Sequence, residues 1–74
     1  PQIAQLYTTQ NLLVLVTNEA STCEYSDKGF FAYGEGVRMT GEQTGEHQAN
    51  LDSKIYYVLC RDTFGNEGRY TIYV

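Results

Sequence analysis

Two cysteines, Cys23 and Cys60, carry the most reactive side chains in the sequence, and each is the only disulfide partner available to the other. A disulfide between them would place the protein in an oxidising compartment. In a domain this small, it would contribute roughly 4 kcal/mol of stability. Two buried free thiols in a cytosolic protein are the alternative, and the residues alone leave it open.

The single histidine, His47, offers little for metal binding or catalysis. A zinc site would need more ligands, and the chain has neither Cys-x-x-Cys nor His-x-x-x-His spacing. His47 follows Glu46 on an alternating stretch, with no nucleophilic serine in a recognisable elbow, which favours a hydrogen-bonded core or boundary residue over a general base. An internal isopeptide bond would need a buried lysine, whereas Lys28 is expected in a turn and Lys54 at the start of a strand. We therefore predict a chain that is not an enzyme and holds no cofactor.

Oxygen-bearing side chains cluster near the end of a predicted hairpin, at Asp62, Asn66 and Glu67. They are weak candidate calcium ligands, because one or two carboxylates are too few without help from another loop. The favoured role of Asp62 is to cap the Asp-x-x-Gly-Asn turn. Glu42 and Glu46 are expected to be solvated loop charges.

The composition indicates one small, modestly acidic domain. The chain has 74 residues, with 9 carboxylates against 5 Lys and Arg and a net charge of −4. The cations stand singly, so neither nucleic acid nor an anionic membrane surface is a favoured partner. The longest apolar run, residues 12–16, is too short to span a bilayer. No signal peptide is visible, and a chain that begins with Pro1 is expected to be mature, processed or excised from something longer.

Short stretches rich in β-branched and aromatic residues, separated by glycine and Asx turns, predict an all-β fold. A central strand at residues 54–62, closed by a tight turn at 63–66, is expected to organise the rest. The other predicted strands are an edge strand or linker at 1–10, then 12–17, 21–26, a short strand within 37–40, 46–51 and 69–74. Asn18 and Glu19 are expected to end the strand before them, and residues 30–33 to supply core aromatics.

Strands of this length and spacing are typical of an antiparallel β-sandwich. Residues 11–74 would form the sandwich module, and residues 1–10 its N-terminal edge strand or a linker. The domain organisation is therefore predicted to be a single domain.

The faces of the central strand indicate a surface that contacts other proteins. If Cys60 points inward, a period of two places Tyr57 and Leu59 on the outer face, and the following hairpin brings Tyr73 beside them. An exposed apolar patch of this kind is typical of a contact surface. The alternatives are that a loop, such as the glycine-rich residues 34–45, folds over it, or that the tyrosines are simply half-exposed.

The strand at residues 12–17 is apolar on both faces. If Leu13 and Leu15 are buried, Val14 and Val16 face outward, which suits burial between layers or against a neighbouring subunit. Packing of identical modules into a filament would explain both apolar surfaces. The alternative is that Val14 and Val16 reflect ordinary β-propensity on a strand partly covered by the termini.

Several short motifs follow one another in order: Leu13-x-Leu15-x-Thr17-Asn18-Glu19, Ser21-x-Cys23-x-Tyr25-Ser26, a phenylalanine, Gly45-x-His47-x-x-x-Leu51, and Tyr56-Tyr57-Val58-x-Cys60-x-Asp62-x-x-Gly65-Asn66. Over residues 12–74 this order resembles the fibronectin type III-like and immunoglobulin-like modules of bacterial and archaeal surface proteins. The resemblance implies a disulfide between Cys23 and Cys60. It also implies a spacer, stalk or adhesive module that is not a catalyst. The sequence departs from the pattern at Leu59, where a polar residue is expected, and after Asp52, where the usual glycine is missing.

The predicted function is that of a non-catalytic structural or adhesive module, extracellular or at the cell surface. Its expected partners are neighbouring copies or domains of the same surface protein, in a filament or surface layer. The alternative is a carbohydrate- or protein-ligand-binding module of a secreted protein, in which Phe31 and Tyr33 stack on sugar rings. A third hypothesis is a small secreted inhibitor or effector that works through the loop at residues 34–45.

Overall fold

A computed structural model describes all 74 residues, of which 61% lie in strands and none in a helix. The strands are β1 (Ile3–Thr8), β2 (Leu12–Ser26), β3 (Val37–Arg38), β4 (Thr44–Asn50), β5 (Ile55–Asp62) and β6 (Glu67–Tyr73). The chain therefore has no helix long and apolar enough to cross a membrane. The predicted all-β class is confirmed, and each predicted strand overlaps an observed one.

The six strands form one antiparallel sheet, which curls and closes only halfway. Its continuous path runs β1, β2, β5, β6, while β3 and β4 pair with β2 outside that path. The predicted sandwich is not confirmed, because the hydrogen-bonded ladder passes through all six strands instead of separating into two layers. The curl nevertheless gives the sheet an inner and an outer side.

The organising element is β2 and not the predicted central strand at residues 54–62. β2 pairs with four other strands, whereas β5 pairs only with β2 and β6. Along one edge of β2, β1 pairs with its first half and β5 with its second half. Along the other edge, β4 pairs mainly with the first half and β3 with the second half. One long strand therefore connects both halves of the sheet.

The predicted break at Asn18 and Glu19 is wrong, because β2 bulges at this point and continues. The register on the β4 side shifts between Val16 and Ser21. The carbonyl of Glu19 accepts hydrogen bonds from the hydroxyls of Thr17 (2.7 Å) and Ser21 (3.0 Å). Side-chain donors thus replace the missing ladder partner, so the strand bends without ending.

The core lies on the inner side of the curl. Its buried residues come from both halves of the sheet: Leu13, Leu15, Cys23, Met39, Ala49, Tyr56, Val58, Cys60 and Ile72. The inward direction predicted for Tyr56, Val58 and Cys60 is confirmed. Residues 30–33, which were expected in the core, lie outside this cluster.

The predicted disulfide is confirmed and joins Cys23 to Cys60. The two residues face each other directly in the β2–β5 ladder, with Cα atoms 4.1 Å apart. This separation matches the narrow, non-hydrogen-bonded pairs of antiparallel sheets, where side chains approach most closely. Both cysteines are buried, so the bond fixes the register of these strands from within the core.

Removal of the disulfide is expected to destabilise the fold strongly. The bond closes a loop with a sequence separation of 37, for which chain entropy predicts a loss of about 4 kcal/mol when both cysteines are changed to alanine. Urea unfolding of the oxidised protein and of the Cys23→Ala, Cys60→Ala variant measures this loss. A difference below about 1 kcal/mol would contradict the entropic estimate.

Candidate functional site

The predicted contact surface is only partly exposed. Leu59 and Val14 are buried, Tyr57 and Val16 are half-buried, and Tyr73 is 78% exposed. The expectation of one exposed patch through Tyr57, Leu59 and Tyr73 is therefore corrected at Leu59. The expectation that Val14 faces open solvent is corrected as well.

Val14 is buried because longer side chains flank it on both neighbouring strands. It pairs with Tyr7 of β1 and with Gln48 of β4. A small β-branched side chain between two larger cross-strand neighbours loses most of its contact with water. Its burial therefore requires no neighbouring subunit.

Leu59 is buried because residues 27–36, here called the covering loop, fold over the outer side of β2 and β5. Phe30 of this loop packs edge-on against Tyr57, with ring centroids 5.1 Å apart. Gly34 and Gly36 donate backbone hydrogen bonds to Glu24, which lies opposite Leu59 in the ladder. The covering segment overlaps the start of the glycine-rich stretch that was the predicted alternative.

Glu24 holds the covering loop in place. One carboxylate oxygen, Oε1, accepts hydrogen bonds from the amides of Gly34 (2.8 Å) and Gly36 (3.2 Å). The other, Oε2, accepts from Nε and a terminal nitrogen of Arg38 at 3.2 and 3.0 Å. The Glu24 side chain is only 1% exposed, so its charge is removed from water and compensated by these four donors. Arg38 also pairs with the exposed Glu42 at 2.9 Å.

The two aromatic residues predicted to stack on sugars, Phe31 and Tyr33, are half-buried and make contacts within the chain. The Tyr33 ring lies 4.9 Å from the guanidinium of Arg61 and 5.6 Å from that of Arg38, within the range of cation–π attraction. Phe31 packs so closely on Gly36 that a side chain there would overlap its ring. Their sugar-binding role stays a prediction.

An aromatic surface remains open on the outer side. We call it the aromatic face and define it by Phe30, Ile55, Tyr57 and Tyr73. Ile55 pairs directly with Tyr73 across the β5–β6 ladder, and Tyr57 lies two residues further along β5 on the same side. Tyr73 is 78% and Phe30 51% exposed, whereas Ile55 and Tyr57 are half-buried beneath them. The side chains of β5 and β6, together with Phe30 of the covering loop, therefore form one apolar surface on the outer side.

Asp62 caps the turn between β5 and β6, as predicted. Its Oδ1 accepts the amides of Phe64 and Asn66, both at 2.9 Å, and its Oδ2 accepts the Asn66 side-chain amide at 3.1 Å. Burial alone would raise the pKa of Asp62, but the hydrogen bonds from Asn66 and Phe64 outweigh it and lower the pKa below 3.8. Gly65, with φ of +86°, completes the turn.

The Asp62 carboxylate is thus already occupied by donors within the turn. Glu67 points instead to Arg61 (3.9 Å) and Arg69 (3.7 Å). No group of three or more acidic, histidine or cysteine side chains is arranged to hold a metal ion. The arrangement of Asp62, Asn66 and Glu67 fits a structural turn.

His47 is fully buried on the inner side of β4. Its Nδ1 lies 3.2 Å from the carbonyl of Thr40, which can only accept, so Nδ1 carries the proton. Its Nε2 lies 3.4 Å from the hydroxyl of Thr17. Burial lowers the pKa of His47 and favours the neutral ring. Lys28 and Lys54 are both exposed, unlike the buried lysine that an isopeptide bond requires.

Nothing in the sequence singles out Glu24, although the structure makes it the anchor of the outer side. Leu59 gave an indirect signal of a covered outer side. It is apolar at a position where a polar residue would be expected if that side were open to solvent. A covered Leu59 implies a covering segment, and the glycines at 34 and 36 supply a backbone that can approach closely. The acceptor for their amides is apparent only from the three-dimensional contacts.

Glu24→Gln is expected to destabilise the protein by about 2 kcal/mol, because a buried oxygen loses its charge and an amide NH₂ faces donors it cannot satisfy. Urea unfolding measures the loss, and hydrogen exchange at the Gly34 and Gly36 amides should become faster. Glu42→Gln is the matched control. Glu42 pairs with the same arginine, but its side chain is 66% exposed. Its replacement should therefore lower the free energy of unfolding by less than about 0.5 kcal/mol. Equal losses would refute the anchoring role of Glu24.

Asp62 is expected to make stability depend on pH in the acid range. Because its pKa is lowered on folding, the folded state binds fewer protons, and the stabilisation present above pH 3.8 is lost as the pH falls through the folded-state pKa. Asp62→Asn should weaken this dependence. Urea midpoints measured between about pH 6 and pH 2 test it. A variant whose pH profile is parallel to that of the wild type would contradict the prediction.

Comparisons of the chain with family models, with curated proteins and with solved structures found no match. The resemblance to fibronectin type III-like and immunoglobulin-like modules therefore rests on the motifs of the chain itself.

Proposed function

We propose that this chain is a non-catalytic structural or adhesive module, extracellular or at the cell surface, that contacts neighbouring copies or domains of the same surface protein. The observation that carries the proposal is the aromatic face. It presents exposed Tyr73 and Phe30 above half-buried Tyr57 and Ile55. Aromatic residues of this kind dominate the energetics of protein interfaces, because they bury large areas with few rotatable bonds.

The framework beneath the face supports the same function. Tyr57 and Ile55 lie on β5, whose register with β2 is held by the buried disulfide. Phe30 lies in the covering loop that Glu24 anchors. A surface that is rigid before binding loses little conformational entropy when a partner docks. The disulfide also supports an oxidising environment outside the cytosol.

The immunoglobulin-like or fibronectin III-like classification belongs to the proposal. It is supported by the order of motifs along the chain. It is supported further by the packing of inner residues from both halves of the curled sheet into one cluster, such as Leu13 and Leu15 with Val58 and Ile72. In this description β2 bends at its bulge and contributes to both halves.

Self-association through the aromatic face is expected to weaken about thirtyfold in Tyr73→Ser, since truncation of an aromatic hot spot costs about 2 kcal/mol. Phe30→Ser should act in the same direction. Multi-angle light scattering, over protein concentrations up to about 1 mM, measures the change in association.

Phe64→Ser is the matched control. Phe64 is the most exposed aromatic residue, at 86%, but it lies in the β5–β6 turn and outside the aromatic face. Its replacement should leave association unchanged. A wild-type protein that is monomeric over the whole concentration range, or an equal effect of Phe64→Ser, would overturn the proposal.

A further inference from the structure

A groove of about 320 Å³ lies at the end of β2, where the chain enters the covering loop. Tyr25 contributes to its wall, and polar side chains surround the opening: Ser26, Asp27, Lys28, Glu35, Asp52 and Ser53. No residue of the aromatic face lines it. Its volume falls at the lower end of the range of small-molecule sites.

Tyr25 is held rigidly beside the groove. Its ring packs against Tyr56 with a centroid distance of 5.5 Å. Tyr56 is itself fixed, because its hydroxyl donates to the carbonyl of Asn50 (2.8 Å) and accepts the amides of Asp52 (2.9 Å) and Ser53 (3.1 Å). The Tyr25 hydroxyl, in contrast, makes no hydrogen bond within the chain and reaches solvent, since no buried polar side-chain atom is left without a partner. A positioned phenol is therefore free to bind a ligand.

The residues that line the groove include both hydrogen-bond acceptors and donors. Asp27 uses one carboxylate oxygen, Oδ2, to accept the hydroxyl of Ser53 at 3.3 Å. The exposed Lys28 forms no ion pair within the chain. Burial, together with the charges of Asp52 and Asp27, raises the pKa of Tyr25 above its ordinary value, at which a phenol is already a protonated donor at neutral pH.

We infer that this groove binds a saccharide unit that is uncharged or carries an amino group. A sugar hydroxyl donates and accepts at once, so it can bridge a carboxylate acceptor such as Asp27 or Asp52 and a donor such as Tyr25 or Lys28. Three residues with carboxylates, Asp27, Glu35 and Asp52, line the groove together with one lysine, Lys28. One oxygen of Glu35 also accepts the amide of Ala32 at 3.1 Å. The negative balance of the groove favours amino sugars and opposes phosphorylated or uronic acid sugars.

The groove and the aromatic face are separate surfaces, and the inference does not depend on the proposed assembly function. A protein that binds sugar and stays monomeric would retain this inference and lose the other proposal. A protein that assembles and binds no sugar would do the reverse.

The test is an amide-resolved NMR titration of the intact oxidised protein with glucose, N-acetylglucosamine, glucosamine and glucuronic acid, each to roughly 50 mM. An open polar groove is expected to bind with a Kd in the millimolar range, or about 1 to 50 mM. Shifts should concentrate at residues 25–28, 35–37 and 52–53. Glucosamine should bind more tightly than glucose, and glucuronic acid should cause no saturable shift.

Tyr25→Phe keeps the ring that packs on Tyr56 and removes only the hydroxyl, so affinity should fall about fivefold in a protein that still folds. Tyr7→Phe removes a phenol from exposed Tyr7 of β1, which lines neither the groove nor the aromatic face, and should bind as the wild type does. No saturable shift with any of the four sugars, or unchanged affinity in Tyr25→Phe, overturns the inference. Shifts at the same residues with calcium chloride alone, and not with sugar, would overturn it in favour of cation binding.

Discussion

The paired register of β2 and β5, fixed at its centre by the Cys23–Cys60 disulfide, determines both sides of this molecule. Because successive residues of a strand alternate in direction, the inward position of Cys23 forces Glu24 outward, and the inward position of Cys60 does the same to Leu59. A slip of one residue would place a carboxylate in the core. The disulfide prevents this slip, since it joins directly opposed positions of the ladder.

Glu24 then imposes a condition on the outer side. A carboxylate on an open strand face would simply be hydrated, but here it lies opposite apolar Leu59 and is buried with it. Burial of that charge is tolerated because two backbone amides and the Arg38 guanidinium replace water as donors. The covering loop is thus required by the charge, while the loop shields Leu59 from solvent. Each would be unfavourable without the other.

Local periodicity was sufficient to predict the strands, the turn at Asp62 and the inward direction of Tyr56 and Cys60. It failed at Asn18 and Glu19, where residue propensity predicted the end of the strand. The strand continues there through a bulge, because two side-chain hydroxyls donate hydrogen bonds to the carbonyl of Glu19. A glycine-rich loop over the outer face was the predicted alternative, but local periodicity did not predict what anchors this loop. The contact between Glu24 and Gly34 joins a strand residue to a loop residue, and the sequence around Glu24 does not single it out as the acceptor. Such pairings depend on tertiary geometry, which alternation along one strand does not encode.

The covering loop links the two surfaces of the protein. Its Phe30 belongs to the aromatic face, whereas Asp27, Lys28 and Glu35 line the groove. The amides of Gly34 and Gly36, on either side of Glu35, hold the loop by binding Glu24. Any ligand or neighbour that displaced the loop at one surface would disturb the same few hydrogen bonds that hold it at the other. The position of the covering loop at both surfaces therefore depends on one buried carboxylate, which itself depends on the register that the disulfide sets.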